Sequence, residues 1–243
     1  MKDFYLYLPS NTRYKGNTPA QFIVLLAQPY ELVGEWEVGL MEIQYQRTWY
    51  NVPPEQFVHI GSKTIPIPEG MYNTMDDLLK ILNKKIKWGL GGSSDITVDI
   101  NSIEAKQKTR LKISRTDEDA TDQDLYFSKR LSDMLGFEKT GPFLSGDRKS
   151  EHPADIEDGM HNLYVYCDLI EPVAVGDARV PLLRIVPIQK GPIVTTSYSK
   201  VFYYPLMRKI FGAVEINIKG DTGEMIPFVG GKSYVTLHFR QKK

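Results

Sequence analysis

The four histidines are the residues of this chain that could bind a transition metal: His59, His152, His161 and His238. Two imidazoles on one strand reach the same metal when they stand two residues apart, because alternate side chains share a face. The histidines are scattered singly, and none has a neighbour at this spacing. The sequence therefore predicts no histidine-bound metal.

Cys167 is the one residue with the chemistry of a thiol nucleophile, since it lies next to Asp168 and six residues after His161. Val165 and Leu169 share its face of an apolar strand. A thiol buried there would be hard to ionise and inert. We therefore expect Cys167 to pack in the core and its replacement by Ser or Ala to leave the function intact.

Two polar runs have the composition of ligand loops. TDEDATDQD (116–124) is acidic enough for calcium, but it lacks the glycine and the distal glutamate of an EF-hand loop and is predicted to be a solvated loop. GLGGSS (89–94) resembles a phosphate loop in composition only, because it follows a helical segment and has no Lys-Ser/Thr pair. We predict a flexible turn there.

The aromatic residues leave two interpretations open. Trp36, Trp49 and the fourteen tyrosines could form a stacking surface for sugars or bases. They are equally the ordinary strand and interface residues of a β protein. The sequence thus predicts no catalytic, cofactor-binding or metal-binding residues, and it indicates a protein that is not an enzyme.

Composition narrows the class of protein. Thirty basic and thirty acidic side chains cancel, so nucleic acid is not expected as a partner, although the terminal RQKK is a local basic exception. One cysteine rules out an internal disulfide framework and fits synthesis in a reducing compartment. The chain shows neither a signal peptide nor an apolar run of the ~20 residues that a membrane span needs.

The stretch HNLYVYCDLIEPVAVGDARVPLLRIVP (161–187) shows the organisation of the chain best. Two apolar runs flank EPVAVGDAR, in which Pro172 and Gly176 interrupt the strand pattern. This pattern predicts two core strands joined by a structured corner.

Other strands follow from alternation. In residues 4–8, Phe4, Leu6 and Leu8 share one face while Tyr5 and Tyr7 share the other. Residues 21–27 form a nearly continuous apolar run, which predicts a strand covered on both faces and ended by Pro29. From residue 35, strict alternation predicts a long strand with one face in the core. Further strands are predicted at 57–60, 64–67, 96–100, 110–114, 125–127, 180–186, 200–204, 211–218 and 233–239, with a hairpin turn at 219–223.

Two helices are predicted between these strands. Met75, Leu78, Leu79, Leu82 and Ile86 recur at helical spacing after Asn73 or Thr74 as N-cap. A shorter helix is predicted in SKRLSDMLGF, with Ser128 as cap and Gly136 as its end. Residues 138–160 show no period and are expected to form a long exposed loop.

Roughly ten short strands and two helices are typical of a β-sandwich or barrel with helical insertions. The chain length suits one eight-stranded double-sheet unit, and no repeat or linker divides it. We therefore expect an all-β sandwich or barrel with two short helical insertions, and residues 1–243 as one domain.

Several segments in this order and spacing resemble a known family: FYLYLPSN, GEWEVGLMEIQY with WYNV, LLKILN, LSDMLGF, YVYCDLIEPVAVGDARVPLLRIVP, YYPL, GEMIPF and VTLHF. Together they are similar to the minor capsid (penton) protein of the Polinton/Maverick and adintovirus-like group. The resemblance covers nearly the whole chain.

This resemblance implies that the all-β fold is a single jelly-roll β-barrel or sandwich. It also implies a non-enzymatic viral structural protein that needs no cofactor. It implies a homopentamer at the icosahedral vertices of a virion, made inside the host cell, beside a separate double jelly-roll major capsid protein. A host receptor is a further candidate partner. The alternative from another class is a jelly-roll attachment or glycan/receptor-binding module, and a metal-dependent barrel enzyme is a third.

Overall fold

The computed structural model describes residues 3–89, 96–105, 108–117, 124–143, 146–157 and 160–242. The chain forms two compact units. Unit 1 comprises residues 1–49 and 160–243, and unit 2 comprises residues 50–159. Each unit has its own apolar core. The expected single domain over residues 1–243 stays a prediction, because two units with separate cores can still unfold together.

Unit 1 contains the strands β1 (Asp3–Pro9), β2 (Gln21–Glu31), β3 (Trp36–Gln46), β10 (Asn162–Cys167), β11 (Val173–Val175), β12 (Ala178–Val180), β13 (Leu182–Pro187), β14 (Ile193–Ser197), β15 (Tyr204–Pro205), β16 (Ile210–Lys219) and β17 (Ser233–Gln241). Unit 2 contains β4 (Phe57–Ile60), β5 (Lys63–Pro66), α1 (Met75–Gly89), β6 (Ile96–Ala105), β7 (Lys108–Asp117), β8 (Leu125–Phe127), α2 (Lys129–Met134) and β9 (Gly146–Lys149).

Two antiparallel sheets form unit 1. The first sheet has the strand order β1-β17-β3-β14, with β15 also pairing with β3, and the second sheet has the order β13-β10-β16-β2. Neighbouring strands within a sheet are far apart in the chain, so most connections cross between the sheets. This exchange of strands is the double Greek key of a jelly roll, and the predicted fold class is confirmed.

The core of unit 1 lies between the inner faces of these sheets. In β17, Val235, Leu237 and Phe239 are fully buried, while Tyr234 and His238 alternate with them and point outward. The same alternation buries Leu6 and Leu8 of β1, as predicted.

A stack of aromatic rings links the sheets within this core. Phe4 of β1 stacks on Phe239 of β17 at 4.7 Å between ring centroids and on Tyr30 of β2 at 4.9 Å. Phe211 of β16 stacks in turn on Tyr30 and Phe239. Such offset pairs stabilise a core by about 0.5–1.5 kcal/mol each beyond their buried area. They hold the second sheet against the first.

The predictions for β2 were wrong in two respects. The strand is covered on one face only, since Phe22 and Val24 are buried whereas Leu25 is 63% exposed. It also continues past Pro29 to Glu31. The first difference arises because only the inner face of the second sheet packs against the other sheet. The second follows from the place of β2 at a sheet edge, where a residue without an amide hydrogen can be accommodated.

The predicted pair of strands in residues 161–187 is confirmed. β10 and β13 are antiparallel neighbours, with Tyr164 opposite Ile185. The corner between them is a small ribbon of β11 and β12, and Gly176 has a φ of 60° in its turn. Residues with a Cβ atom rarely adopt that backbone conformation, which explains why a glycine occupies this position.

In the C-terminal third, one prediction is confirmed, one was wrong and one strand was not predicted. The hairpin turn at 219–223 is confirmed, because the Gly220 amide donates to the Glu224 carbonyl and Lys219 forms an antiparallel bridge with Met225. Of the predicted strand 200–204, only Tyr204 lies in a strand, the short β15 (Tyr204–Pro205) that pairs with β3. β14 (Ile193–Ser197) was missed, because its short threonine-rich sequence has little apolar alternation.

Unit 2 contains the two predicted helices beside the small sheets β5-β4-β8 and β6-β7-β9. Helix α1 buries Leu78, Leu79, Leu82 and Ile86, the face that its spacing predicted. Thr74 is its N-cap, since its hydroxyl accepts a hydrogen bond of 3.2 Å from the Asp77 amide.

The second helix ends at the Schellman-type position Gly136, whose φ is 81°. Ser128 occupies its N-cap position as predicted, but the Ser128 hydroxyl donates to Gln56 Oε1 at 2.7 Å instead of capping the helix.

Residues 138–160 are not one exposed loop. Phe143 is buried and bridges to Leu125, and β9 pairs with β7. Ala154 and Ile156 also pack against the core of unit 2, so apolar side chains in this polar segment attach it to the core. Neither helix in the described ranges has the length and hydropathy of a membrane span.

Candidate functional site

Cys167 packs in the core of unit 1, as predicted. Its side chain is 1% exposed, and burial raises the pKa of the thiol to about 12. The neighbouring Asp168 carboxylate is engaged elsewhere, because it pairs with Arg208 and accepts a hydrogen bond of 2.8 Å from the Glu215 amide. His161 precedes the other end of β10, about 20 Å along an extended chain. The fold does not bring the three residues together.

The histidines lie in separate surroundings. His59 pairs with Thr64 and His152 with Glu138, both in unit 2, whereas His238 contacts Tyr203 in unit 1. Across the described residues, no group of three or more His, Cys, Asp and Glu side chains could hold a metal ion. Most of the two polar runs lies outside the described residues, namely residues 90–94 of GLGGSS and 118–123 of the acidic run.

Asp221 joins the turn at 219–223 to the start of β10. Its carboxylate accepts hydrogen bonds from the backbone amides of His161 and Asn162, at 2.7 and 2.8 Å, and from the Asn162 side chain and the Tyr164 hydroxyl. Partial burial would raise the pKa of Asp221, but these donors outweigh it and lower the pKa below its ordinary value. Four donors on one carboxylate fix this corner of unit 1.

One segment of unit 1 lies across the outer face of the first sheet. Between β14 and β15, residues 198–203 leave the strand and pass over Gly39 of β3, where a Cβ atom would lie 2.2 Å from the Phe202 carbonyl oxygen. We call this the 198–203 segment. An isolated glycine in an alternating strand signals such a close approach of backbone, and it was the one sequence signal that could have predicted this feature.

Two arginines hold the 198–203 segment in place. The Arg184 guanidinium of β13 lies 3.6 Å from the ring centroid of Tyr198 and 4.2 Å from that of Phe202, and it donates to the Lys200 carbonyl. The Arg240 guanidinium of β17 lies 3.5 Å from the ring centroid of Tyr203. These cation–π contacts fix both ends of the segment.

Tyr203 also contacts the imidazole of His238, a residue of β17 in the first sheet. Its hydroxyl lies 2.7 Å from Nδ1 of His238, whose ring stacks on Tyr5 at 4.5 Å. Burial raises the pKa of Tyr203, so the hydroxyl stays protonated at neutral pH. The aromatic residues on this face are thereby ordered in the free subunit.

Three exposed tyrosines lie beside these contacts on the outer side of β1 and β17. Tyr5, Tyr7 and Tyr234 are 46%, 73% and 40% exposed, and we call them the tyrosine face. Tyr7 lies opposite Thr236, which places Tyr234 diagonally across from it. Exposed aromatic groups on a rigid sheet are typical of surfaces that bind another protein. The sequence predicted that Tyr5 and Tyr7 share a face but not that this face is exposed.

The edges of the two sheets differ. At the edge strand β2, the side-chain amide of Asn17 pairs with the backbone of Ile23, accepting at 2.8 Å and donating at 3.0 Å. This contact blocks addition of another strand there. In the described part of the chain, β1 pairs with β17 alone, so its outer edge has no strand partner beside the tyrosine face.

No protein-family model matches the chain, and no curated protein matches it significantly in sequence. Solved structures do match its fold. Domains of the flagellar cap protein FliD from Escherichia coli align over 90% of this chain and 100% of that one at 12% identity, but the TM-score of 0.24 is too low to indicate a shared fold. The crystal structure of the mavirus penton protein aligns over 99% of this chain and 100% of that one, at 10% identity and a TM-score of 0.54. The chain therefore has the jelly-roll fold that the mavirus penton protein also has.

Proposed function

We propose that this chain is a penton subunit, a non-enzymatic minor capsid protein that forms pentamers at the vertices of an icosahedral virion. The observation that carries the proposal is the fold shared with the mavirus penton protein over nearly the full length of both chains. The segments that resemble the Polinton/Maverick and adintovirus-like group support it independently, since that resemblance rests on the order and spacing of residues and not on the fold.

A ring of five copies needs two different contact surfaces on each subunit, because one flank meets the opposite flank of its neighbour. The tyrosine face and the outer edge of β1 supply a suitable first surface. It combines exposed aromatic groups with the ordered contacts of Tyr203 and His238, so little conformational entropy is lost on binding. We propose that this surface meets the neighbouring subunit.

The absence of catalysis is part of the proposal. The thiol that could act as a nucleophile is buried between the sheets. Of its candidate partners, the Asp168 carboxylate pairs with Arg208, and His161 precedes the other end of β10. A buried, protonated thiol fits a packing role. The proposed partners are further copies of this chain and a double jelly-roll major capsid protein.

Co-expression with that major capsid protein tests the proposal. Electron microscopy of the resulting shells should show density for this chain at the five-fold vertices, and shells made without it should have vertex openings. Shells with closed vertices in the absence of this chain, and no incorporation in its presence, would contradict the proposal.

A further inference from the structure

Unit 2 contains a pocket of about 430 Å³ that the capsid proposal does not use. It lies between β5 (Lys63–Pro66) and the C-terminal turn of α1, where Lys85, Trp88 and Gly89 complete its wall. The volume is in the range of small-molecule sites. All of these residues belong to unit 2, so the pocket is formed within one compact unit.

Close packing fixes the base of the pocket. A Cβ atom at position 89 would lie 2.5 Å from Cδ1 of Ile65, so the end of α1 approaches β5 as closely as a glycine allows. Ile65 itself is buried. The two walls are therefore held at a defined separation in the free protein, and binding needs little rearrangement.

Trp88 presents an aromatic surface at this pocket. Its side chain is 65% exposed, whereas Trp36 is 7% and Trp49 is 0% exposed. Lys84, one helical turn earlier, places its ammonium group 4.6 Å from the ring centroid. This cation–π contact orients the indole. A large apolar ring exposed at the rim of a pocket is a surface on which a flat ligand can pack.

The charge at the pocket is positive. Lys63 and Lys85 line it, and among the described residues neither has a carboxylate partner. Lys84 adds a third ammonium group beside Trp88. The 30 basic and 30 acidic side chains of the chain cancel overall, so these three lysines form a local positive patch that attracts an anion.

We propose that this pocket binds an acidic saccharide, with the apolar face of a pyranose ring on Trp88 and its carboxylate or sulfate group between Lys63 and Lys85. Single-stranded nucleic acid is less suited, because it needs a row of stacking aromatics along a basic groove. Within the described ranges, Trp88 is the one aromatic side chain that lines this pocket. The proposal assigns the chain a ligand-binding role in addition to assembly and does not depend on pentamer formation.

Tryptophan fluorescence of the full chain tests it, because Trp88 is the exposed one of three tryptophans. The probes are a sulfated heparin tetrasaccharide, sialyllactose as the carboxylate form, neutral lactose and a ten-residue oligothymidylate. We expect saturable changes in emission with at least one acidic saccharide and none with lactose. The preference between the first two probes identifies sulfate or carboxylate as the bound group.

Variants locate the site. Trp88→Phe should remove the emission change, Trp88→Ala should weaken binding at least tenfold by calorimetry, and Lys63→Ala with Lys85→Ala should do the same. Lys80→Ala, an exposed lysine of α1 outside the pocket, is the matched control and should bind like the original protein. Absence of saturable binding to either acidic saccharide, equal binding by the Trp88→Ala variant, or tighter binding of the oligonucleotide would overturn the proposal. A pentamer measured in the same preparation would be unaffected by any of these outcomes.

Discussion

The backbones of Gly39 and Phe202 lie so close together that only glycine fits at position 39, since a Cβ atom there would lie 2.2 Å from the Phe202 carbonyl oxygen. This contact lets the 198–203 segment lie across the first sheet. The segment carries Tyr203, which orients His238 and Tyr5 beside the tyrosine face. The order of the proposed subunit contact thus depends on one glycine in β3.

Replacing Gly39 with Ala tests this dependence. The added methyl group must displace the backbone at Phe202, so we expect the free energy of unfolding to fall by about 1–3 kcal/mol, the usual cost of overpacking. Chemical denaturation measures the change. Gly230→Ala is the matched control, because a Cβ atom there meets nothing within 4 Å. Equal stability of the Gly39→Ala variant and the original protein would show that the segment is not held as described.

Asp221→Asn should produce a pH-dependent loss of stability. The pKa of Asp221 is lowered in the folded state, so its contribution is present above the ordinary value of 3.8 and is lost as the pH falls through the folded value. Because the residue is exposed, we expect a loss of about 1 kcal/mol or less at pH 7. The difference between variant and original protein, measured by denaturation from pH 7 to pH 3, should shrink below about pH 4. A difference that stays constant over this range would contradict the assignment.

Cys167 should be unreactive in the folded protein. Burial raises the pKa of its thiol to about 12, so hardly any thiolate is present at pH 8. We expect Ellman's reagent to label Cys167 only after denaturant is added, and Cys167→Ala to assemble like the original protein. Rapid labelling of the native protein, or loss of assembly in a variant that keeps its fold, would show that the thiol has a role beyond packing.

Tyr7→Lys should weaken association between subunits. Tyr7 is 73% exposed, so the substitution leaves the core intact, but it places a charge in the proposed contact. We expect the concentration at which the oligomer dissociates to rise at least about tenfold, as for the central residues of other interfaces. Analytical ultracentrifugation measures this shift. Tyr14→Lys is the control, since Tyr14 is also exposed, at 42%, and lies outside the tyrosine face. Equal shifts in both variants would exclude the tyrosine face as the contact.

Elements with strong periodicity were predictable from the sequence. Helix α1 and the alternating strands β1, β3 and β17 bury the residues that their spacing indicates, because one face of each must leave water. The fold class followed from the number and length of these segments, and the corner at Gly176 followed from its turn residues.

The remaining features depend on contacts between distant residues. The extension of β2 past Pro29 depends on its position at a sheet edge, which the local sequence does not reveal. The 198–203 segment depends on Arg184 and Gly39, which are far apart in the chain. The exposure of Tyr7 and Trp88 depends on what the fold leaves uncovered. Burial patterns can be predicted from periodicity, but surfaces are decided by tertiary packing.

The mass of the purified particle tests the central proposal most directly. Native mass spectrometry of the full chain should show a species of five times the 27.8 kDa subunit mass, and this pentamer should persist on dilution that disperses a nonspecific aggregate. A monomer at high protein concentration, or a dimer or trimer as the stable species, would contradict a penton subunit.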